Sequence, residues 1–195
     1  LGVFLFSCKE AKKETKPSPY QSLADQYAEF SLTTDLNQLT ENEKKMIPIL
    51  IEVADIMEDI FWQNAYGDKN ALMAQFAQDS AALKYLSINY GPWDRLNDNK
   101  PFIEGVGAKP LGANFYPADM TKEEFDALDD PRKTDWYSVI RRDSTGKLIV
   151  LSYHEAYPEE VAKASKLLEK AAELAEDPGL KNYLTLRSKA LLDDD

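Results

Sequence analysis

The residue types best suited to catalysis are scarce in this chain of 195 residues, which has one histidine, His154, and one cysteine, Cys8. His154 precedes Glu155, and a His-Glu pair brings a metal ligand beside a general base to mind. No second histidine exists to complete His-Glu-x-x-His, so ligation by His154 is disfavoured. Zinc fingers and other all-Cys/His sites are excluded by the same count, as is an internal disulfide framework. Ser152 lies close to His154 but has no third partner in sight, and nucleophile triads are defined by geometry that sequence order does not show. The run GVGAKPLG from Gly105 to Gly112 contains Gly-x-Gly without the third glycine or a preceding strand, so it is no dinucleotide fingerprint.

Carboxylates and aromatics are better represented. Asp94, Asp98, Glu104 and Asp119 are interleaved with Tyr90, Trp93, Phe102, Phe115 and Tyr116. Such a mixture suits a glycosidase pair or a sugar platform, although acids in a solvated loop need no such role. Arg95 either pairs with Asp94, Asp98 or Glu104, or stays free to hold a ligand carboxylate in a bidentate fork. A formal net charge of -11 argues against a nucleic-acid partner, because phosphate binding depends on clustered Lys and Arg.

These candidates lie between Tyr90 and Met120, a stretch rich in prolines, glycines and aromatics with no sustained period. A compact domain rarely keeps so long a loop without a function, and irregular backbone over a rigid scaffold is a common way to build a ligand site. The scaffold reads as helical. Leu23, Tyr27 and Phe30 fall at helical spacing. Thr40 and Glu43 form a capping box ahead of an apolar stripe of Ile47, Leu50, Val53, Met57, Ile60 and Phe61, with Pro48 expected to kink that helix or mark its start. Gly67 ends the element, Asp68 caps the next, and Leu72, Met73, Phe76, Leu83 and Leu86 predict one further helix reaching Asn89.

Beyond the loop, Thr121 and Glu124 repeat the capping-box spacing. Two β-rich runs flank Asp143-Ser144-Thr145-Gly146, a hairpin signal. Pro158 opens a helix through Val161, Leu168 and Leu174, and a final helix carries Leu180, Leu184 and Leu191. The fold class expected is mainly α: a helical lobe with one small β-hairpin and a long irregular loop.

The first residues carry a different signal. Leu5-Phe6-Ser7-Cys8 resembles a bacterial lipoprotein box, so residues 1–8 read as the end of a secretory signal with Cys8 as the acylated residue. Residues 9–19, charged and nearly devoid of aliphatics, read as a disordered tether, and residues 20–195 as the helical lobe. The expected location is the bacterial cell envelope, with a lipid anchor holding the protein to the membrane. The absence of an initiating Met and the stop at Leu191-Leu192-Asp193-Asp194-Asp195 suggest part of a longer reading frame.

INYGPWDRLNDNKPF (88–102), KPLGANFYPADMTKEEF (109–125) and AAELAEDPGLKNYLTLRSKALL (171–192) resemble the N-terminal part of dipeptidyl peptidase III-like zinc hydrolases of the Bacteroidetes lipoprotein form. These are similar in turn to the peptidase half of certain plant Nudix fusion proteins. The resemblance runs from about Tyr20 to the end, with Gly112–Met120 its most specific piece. It implies the N-terminal lobe of a two-lobed metallohydrolase that acts on peptides, with zinc held in the part beyond this chain and none bound here. It further implies that Tyr90, Trp93, Asp94, Arg95, Asn114, Phe115 and Tyr116 shape one wall of the peptide cleft, with no catalytic residue in the chain itself. The alternative is a lipid-anchored helical lipoprotein that binds glycans or a protein partner.

Overall fold

The computed structural model describes residues 17–195. Cys8 and most of the 9–19 tether lie outside the described residues. At the tether's far end, the Ser18 hydroxyl donates to the Asp79 carboxylate at 2.7 Å.

The longest element, α2 (Glu41–Ala65), starts where the sequence places it. The Thr40 hydroxyl accepts from the Glu43 N–H at 3.2 Å, and the Glu43 carboxylate accepts from the Thr40 N–H at 2.8 Å. The helix runs through Pro48. Proline inside a helix costs about 3 kcal/mol, and the apolar stripe that follows it offsets this by packing on two later helices, α7 (Pro158–Leu174) and α8 (Pro178–Asp193). Met46, Leu168, Ala171, Ala172, Ala175 and Leu184 form the centre of that three-helix core. Ala164 and Ala171 are wholly buried, which lets the helix backbones approach closely. The hydroxyls of Ser165 and Ser188 meet at 3.0 Å inside it, each satisfying a polar group that burial would otherwise leave unpaired.

A second core forms at the other end of α2. Trp62 packs with Leu72 of α3 (Lys69–Gln75) and Leu86 of α4 (Ser80–Asn89). Tyr85 packs with Ala24 and Ala81, against Tyr20, Tyr27 and Phe102. Two helical expectations are corrected here. The single helix expected up to Asn89 is two, because Asp79 accepts from the Ala82 N–H at 3.0 Å and so starts a new one. The pattern of Leu23, Tyr27 and Phe30 yields only one turn, α1 (Gln21–Ala24), and Phe30 is left 85% exposed. Tyr20 and Tyr27 turn instead onto Tyr85 and Phe102, where aromatic packing outweighs a continued helix.

The stretch after α4 is less irregular than its composition suggests. β1 (Trp93–Asp94) pairs antiparallel with β2 (Lys100–Pro101), a second small sheet beside the one expected. A capped helix, α5 (Lys122–Ala127), follows and has the Thr121/Glu124 box. The expected hairpin joins β3 (Ser138–Arg142) to β4 (Leu148–Ser152), with Ile140 opposite Val150. Its turn is held by the Asp143 carboxylate, which accepts from the Thr145 and Lys147 N–H groups, while Gly146 supplies the left-handed φ of +84°. A single turn, α6 (Tyr153–Ala156), connects the hairpin to α7. No helix among the described residues is long and apolar enough to cross a membrane.

Candidate functional site

The last turns of α2, the Gly67–Asn70 turn, the β3–β4 hairpin and the start of α7 enclose an open cleft of about 700 Å³. Its lining is mixed, with Gln63, Lys69, Asn114, Arg141 and Glu160 facing Trp62, Leu151 and Ala156. Helix ends leave carbonyls without intrahelical partners, and here the long loop supplies them. The Asn114 main-chain N–H donates to the Asn64 carbonyl at 2.8 Å, and its side-chain amide donates to the Gln63 carbonyl at 2.7 Å.

Beneath the cleft lies a buried network. The Tyr157 hydroxyl donates to Asn64 Oδ1 at 2.5 Å, and the Asn64 amide reaches the Tyr153 hydroxyl at 3.5 Å. Arg141 donates to the carbonyls of Ile140 and Phe115 at 2.8 and 3.2 Å, and its other nitrogen lies 3.5 Å from the Tyr157 hydroxyl. Burial raises the pKa of both Tyr153 and Tyr157, which keeps each phenol a hydrogen-bond donor. Cleft and network together hold amide, guanidinium and phenol groups in fixed positions.

The seven residues singled out in the sequence are distributed over this region and not gathered at one point. Of the seven, Asn114 alone lines this cleft. Phe115 holds the hairpin, its carbonyl accepting from the Ile140 N–H at 3.0 Å, and it borders a smaller apolar pocket of about 190 Å³ with Met57, Ile60 and Phe61. Tyr116 packs edge-on to Phe125 in a separate depression. Tyr90 ends α4 in the left-handed conformation, its ring against Phe61 and Trp62 at 4.7 and 5.2 Å. Trp93 is buried and donates its indole N–H to the Gly107 carbonyl at 2.9 Å.

Asp94 points inward. Its carboxylate accepts from the Leu96 N–H at 3.0 Å, and Tyr85 is pushed up to about 12 by burial and by its hydrogen bond to Asp94. Arg95 pairs with none of Asp94, Asp98 or Glu104 among the described residues, and its guanidinium lies over the rings of Tyr90 and Phe61. Sequence reasoning missed Asn64, Arg141, Tyr157 and Glu160. One signal pointed to the first of these: Asn64 continues the apolar stripe of α2 four residues after Ile60, and a polar residue at a core position needs a partner.

His154 is engaged by Asp194, whose carboxylate accepts from the His154 N–H at 3.0 Å and meets its ring Nδ1. Among the described residues no three His, Cys, Asp or Glu side chains come together to hold a metal ion. The described residues therefore do not fit a zinc centre.

The fold and its cleft define a class: a helical lobe with a small β-hairpin and an open cleft beside it. Comparison with known proteins makes this specific. No family model matches the chain. The structure of DPP III from Caldithrix abyssi superposes with a TM-score of 0.80 at 40% identity, over 89% of this chain and 35% of that one. The dipeptidyl-peptidase III from Corallococcus sp. strain EGB gives 0.79 at 30% identity, over 90% of this chain and 35% of that one. Nudix hydrolase 3 of Arabidopsis thaliana is 26% identical over 95% of this chain and 32% of its own length. The chain is thus similar to dipeptidyl peptidase III over about nine tenths of its own length, and it spans about a third of the length of the relatives it matches.

Proposed function

We propose that this chain forms one wall of the substrate cleft in a longer, zinc-dependent peptide hydrolase of the dipeptidyl peptidase III type. On this reading the chain is inactive by itself, and the zinc and the catalytic groups belong to a part of that protein outside these residues. The observation that carries the reading is the match to two dipeptidyl peptidase III structures over about nine tenths of the chain, at 40% and 30% identity. The open cleft supports it too, since fixed amides and a guanidinium suit the alternating donors and acceptors of an extended peptide.

The test is to express the complete reading frame and measure bound zinc and the release of dipeptides from short peptides. Zinc with dipeptide release supports the proposal, and a zinc-free protein that leaves all peptides intact sinks it. In the active protein, Arg95→Ala and Tyr116→Phe should raise KM or lower kcat without unfolding; unchanged kinetics would return those side chains to a structural role. We further propose, from Leu5-Phe6-Ser7-Cys8, that Cys8 is acylated and anchors the protein in the bacterial envelope. Labelling cells with a radioactive fatty acid should mark the wild type and not Cys8→Ala.

A further inference from the structure

The segment between α1 and α2 has the make-up of a β-strand and no strand beside it. From Glu29 to Leu36 the residues alternate: Glu29, Ser31, Thr33 and Asp35 are polar, and Phe30, Leu32 and Leu36 are apolar with Thr34 in step. Successive side chains of a strand face opposite sides, so this order gives one greasy face and one polar face. Neither glycine nor proline interrupts it. Residues 28–35 run without helix, turn or bend, and Asp35 at their end has extended backbone angles.

Both the main chain and the greasy face are uncovered. No N–H or carbonyl of residues 28–35 makes a main-chain hydrogen bond among the described residues. Phe30 is 85% exposed and Leu32 89%, with Leu36 half exposed. The ends, in contrast, are tied down. Tyr27 packs edge-on to Tyr85, and the Lys84 ammonium donates to the Glu29 carboxylate at 2.6 Å. At the far end the Asp35 carboxylate accepts from the Asn37 N–H at 2.9 Å, just before the Thr40 cap of α2. The segment is thus held open between α4 and the start of α2.

These features specify what covers it. A row of free N–H and carbonyl groups is matched by the edge of a sheet, and the row of Phe30, Leu32 and Leu36 by an apolar surface. The two small sheets among the described residues do not take this segment. A second copy is a poor source. A formal net charge of -11 repels its like, and antiparallel self-pairing centred on Leu32 sets Glu29 against Asp35. About two thirds of each matched dipeptidyl peptidase III chain lies outside the part that this chain covers, room enough for a sheet.

We propose that residues 28–36 add a strand to the edge of a sheet supplied by the remainder of the polypeptide, with Phe30, Leu32 and Leu36 turned onto its apolar face. The proposal rests on the reading of this chain as part of a longer hydrolase. It makes the segment a seam between the helical lobe and the rest of that protein.

Hydrogen–deuterium exchange of the complete protein, read by mass spectrometry on peptides covering residues 28–36, tests the seam. A paired edge strand protects the N–H groups that face its neighbour, so about half of these amides should exchange at least about 100-fold more slowly than in a synthetic peptide of the same sequence. Protection should not change on dilution. Phe30→Ser and Leu32→Ser should each speed the exchange about ten-fold or more, whereas Ser31→Ala and Thr33→Val on the outward face should leave it within about two-fold. The wild-type exchange needs no substitution and decides the matter where a variant fails to fold.

Exchange at the free-peptide rate overturns the proposal. So does protection lost on dilution, which would make a second copy the partner, and so do equal effects of substitutions on the two faces. Failure of the seam and failure of the hydrolase reading are distinguishable. A complete protein with the segment protected that releases no dipeptide keeps the seam and loses the hydrolase. A complete protein that releases dipeptides while the segment exchanges freely keeps the hydrolase and loses the seam.

Discussion

Asn64→Ala and Tyr157→Phe, alone and together, test whether the floor of the cleft is a single hydrogen-bonded unit. Asn64 is 2% exposed and Tyr157 4%, so neither finds water when its partner is removed. In Asn64→Ala the Tyr157 hydroxyl loses its acceptor, and its other neighbour, Arg141 Nη2 at 3.5 Å, is a donor that offers no replacement. An orphaned buried hydroxyl costs about 1–3 kcal/mol, and the missing side chain adds packing loss, so about 2–4 kcal/mol in all. Tyr157→Phe leaves Asn64 Oδ1 without its donor and costs about 1–2 kcal/mol. The double variant orphans neither member of this pair and loses only the long contacts to Tyr153 and Arg141, so its cost should fall short of the sum by about 1–2 kcal/mol. Urea denaturation of the three variants and the wild type measures this. With a slope of about 2–3 kcal/mol per molar, the shortfall is about half a molar in the midpoint. Costs that add to within about 0.3 kcal/mol would show that the two side chains do not depend on each other, and the picture of a coupled floor would fail.

Other expectations follow from single contacts. Tyr85, pushed up to about 12, is protonated in both folded and unfolded states below pH 10. Between about pH 10 and 12 the unfolded chain loses a proton that the folded chain keeps, so stability falls with rising pH by up to about 3 kcal/mol. Tyr85→Phe removes that component, and denaturant midpoints between pH 9 and 11.5 should fall less steeply than in the wild type; parallel slopes would show that Tyr85 does not carry it. Gly112 has a φ of +75°, and a Cβ there would lie 2.4 Å from the Tyr116 ring. Gly112→Ala should cost about 1–3 kcal/mol in thermal or urea unfolding, and adding Tyr116→Ala should recover part of it; no loss at all would mean the loop moves freely. Thr40→Ala removes the cap of α2 and should cost about 1 kcal/mol by the same assay, with Thr40→Ser nearly neutral.

Much of the scaffold was legible because its signals are local. Both threonine capping boxes, the Gly146 turn and the proline start of α7 are set by residues within four positions of one another. Periodicity misled where a short-range competitor existed: Asp79 offered a cap inside an apolar run, and Tyr20 and Tyr27 had better partners across the chain. The resemblance to dipeptidyl peptidase III proteins was also readable, from the loop segments above all. The cleft was not. Asn114 reaches the end of α2 across 51 residues, and such pairings leave no spacing to read. Trp93 and Asp94, given to the cleft wall by the resemblance, also hold Gly107 and Tyr85, contacts that no spacing in the sequence announces.

The joining of Asn64 to Tyr157 across 93 residues has a consequence for how the protein is made. The apolar stripe of α2 leaves the ribosome well before the helix that covers it. At about 5–20 residues per second, the stripe waits some ~5–20 s for α7, whereas α7 and α8 are neighbours in sequence and can collapse as a hairpin at once. During that interval the nascent chain carries an uncovered greasy helix, the kind of segment that holdase chaperones grip. Slowing synthesis between Ala65 and Pro158 lengthens that exposure and should lower the yield without altering the finished fold.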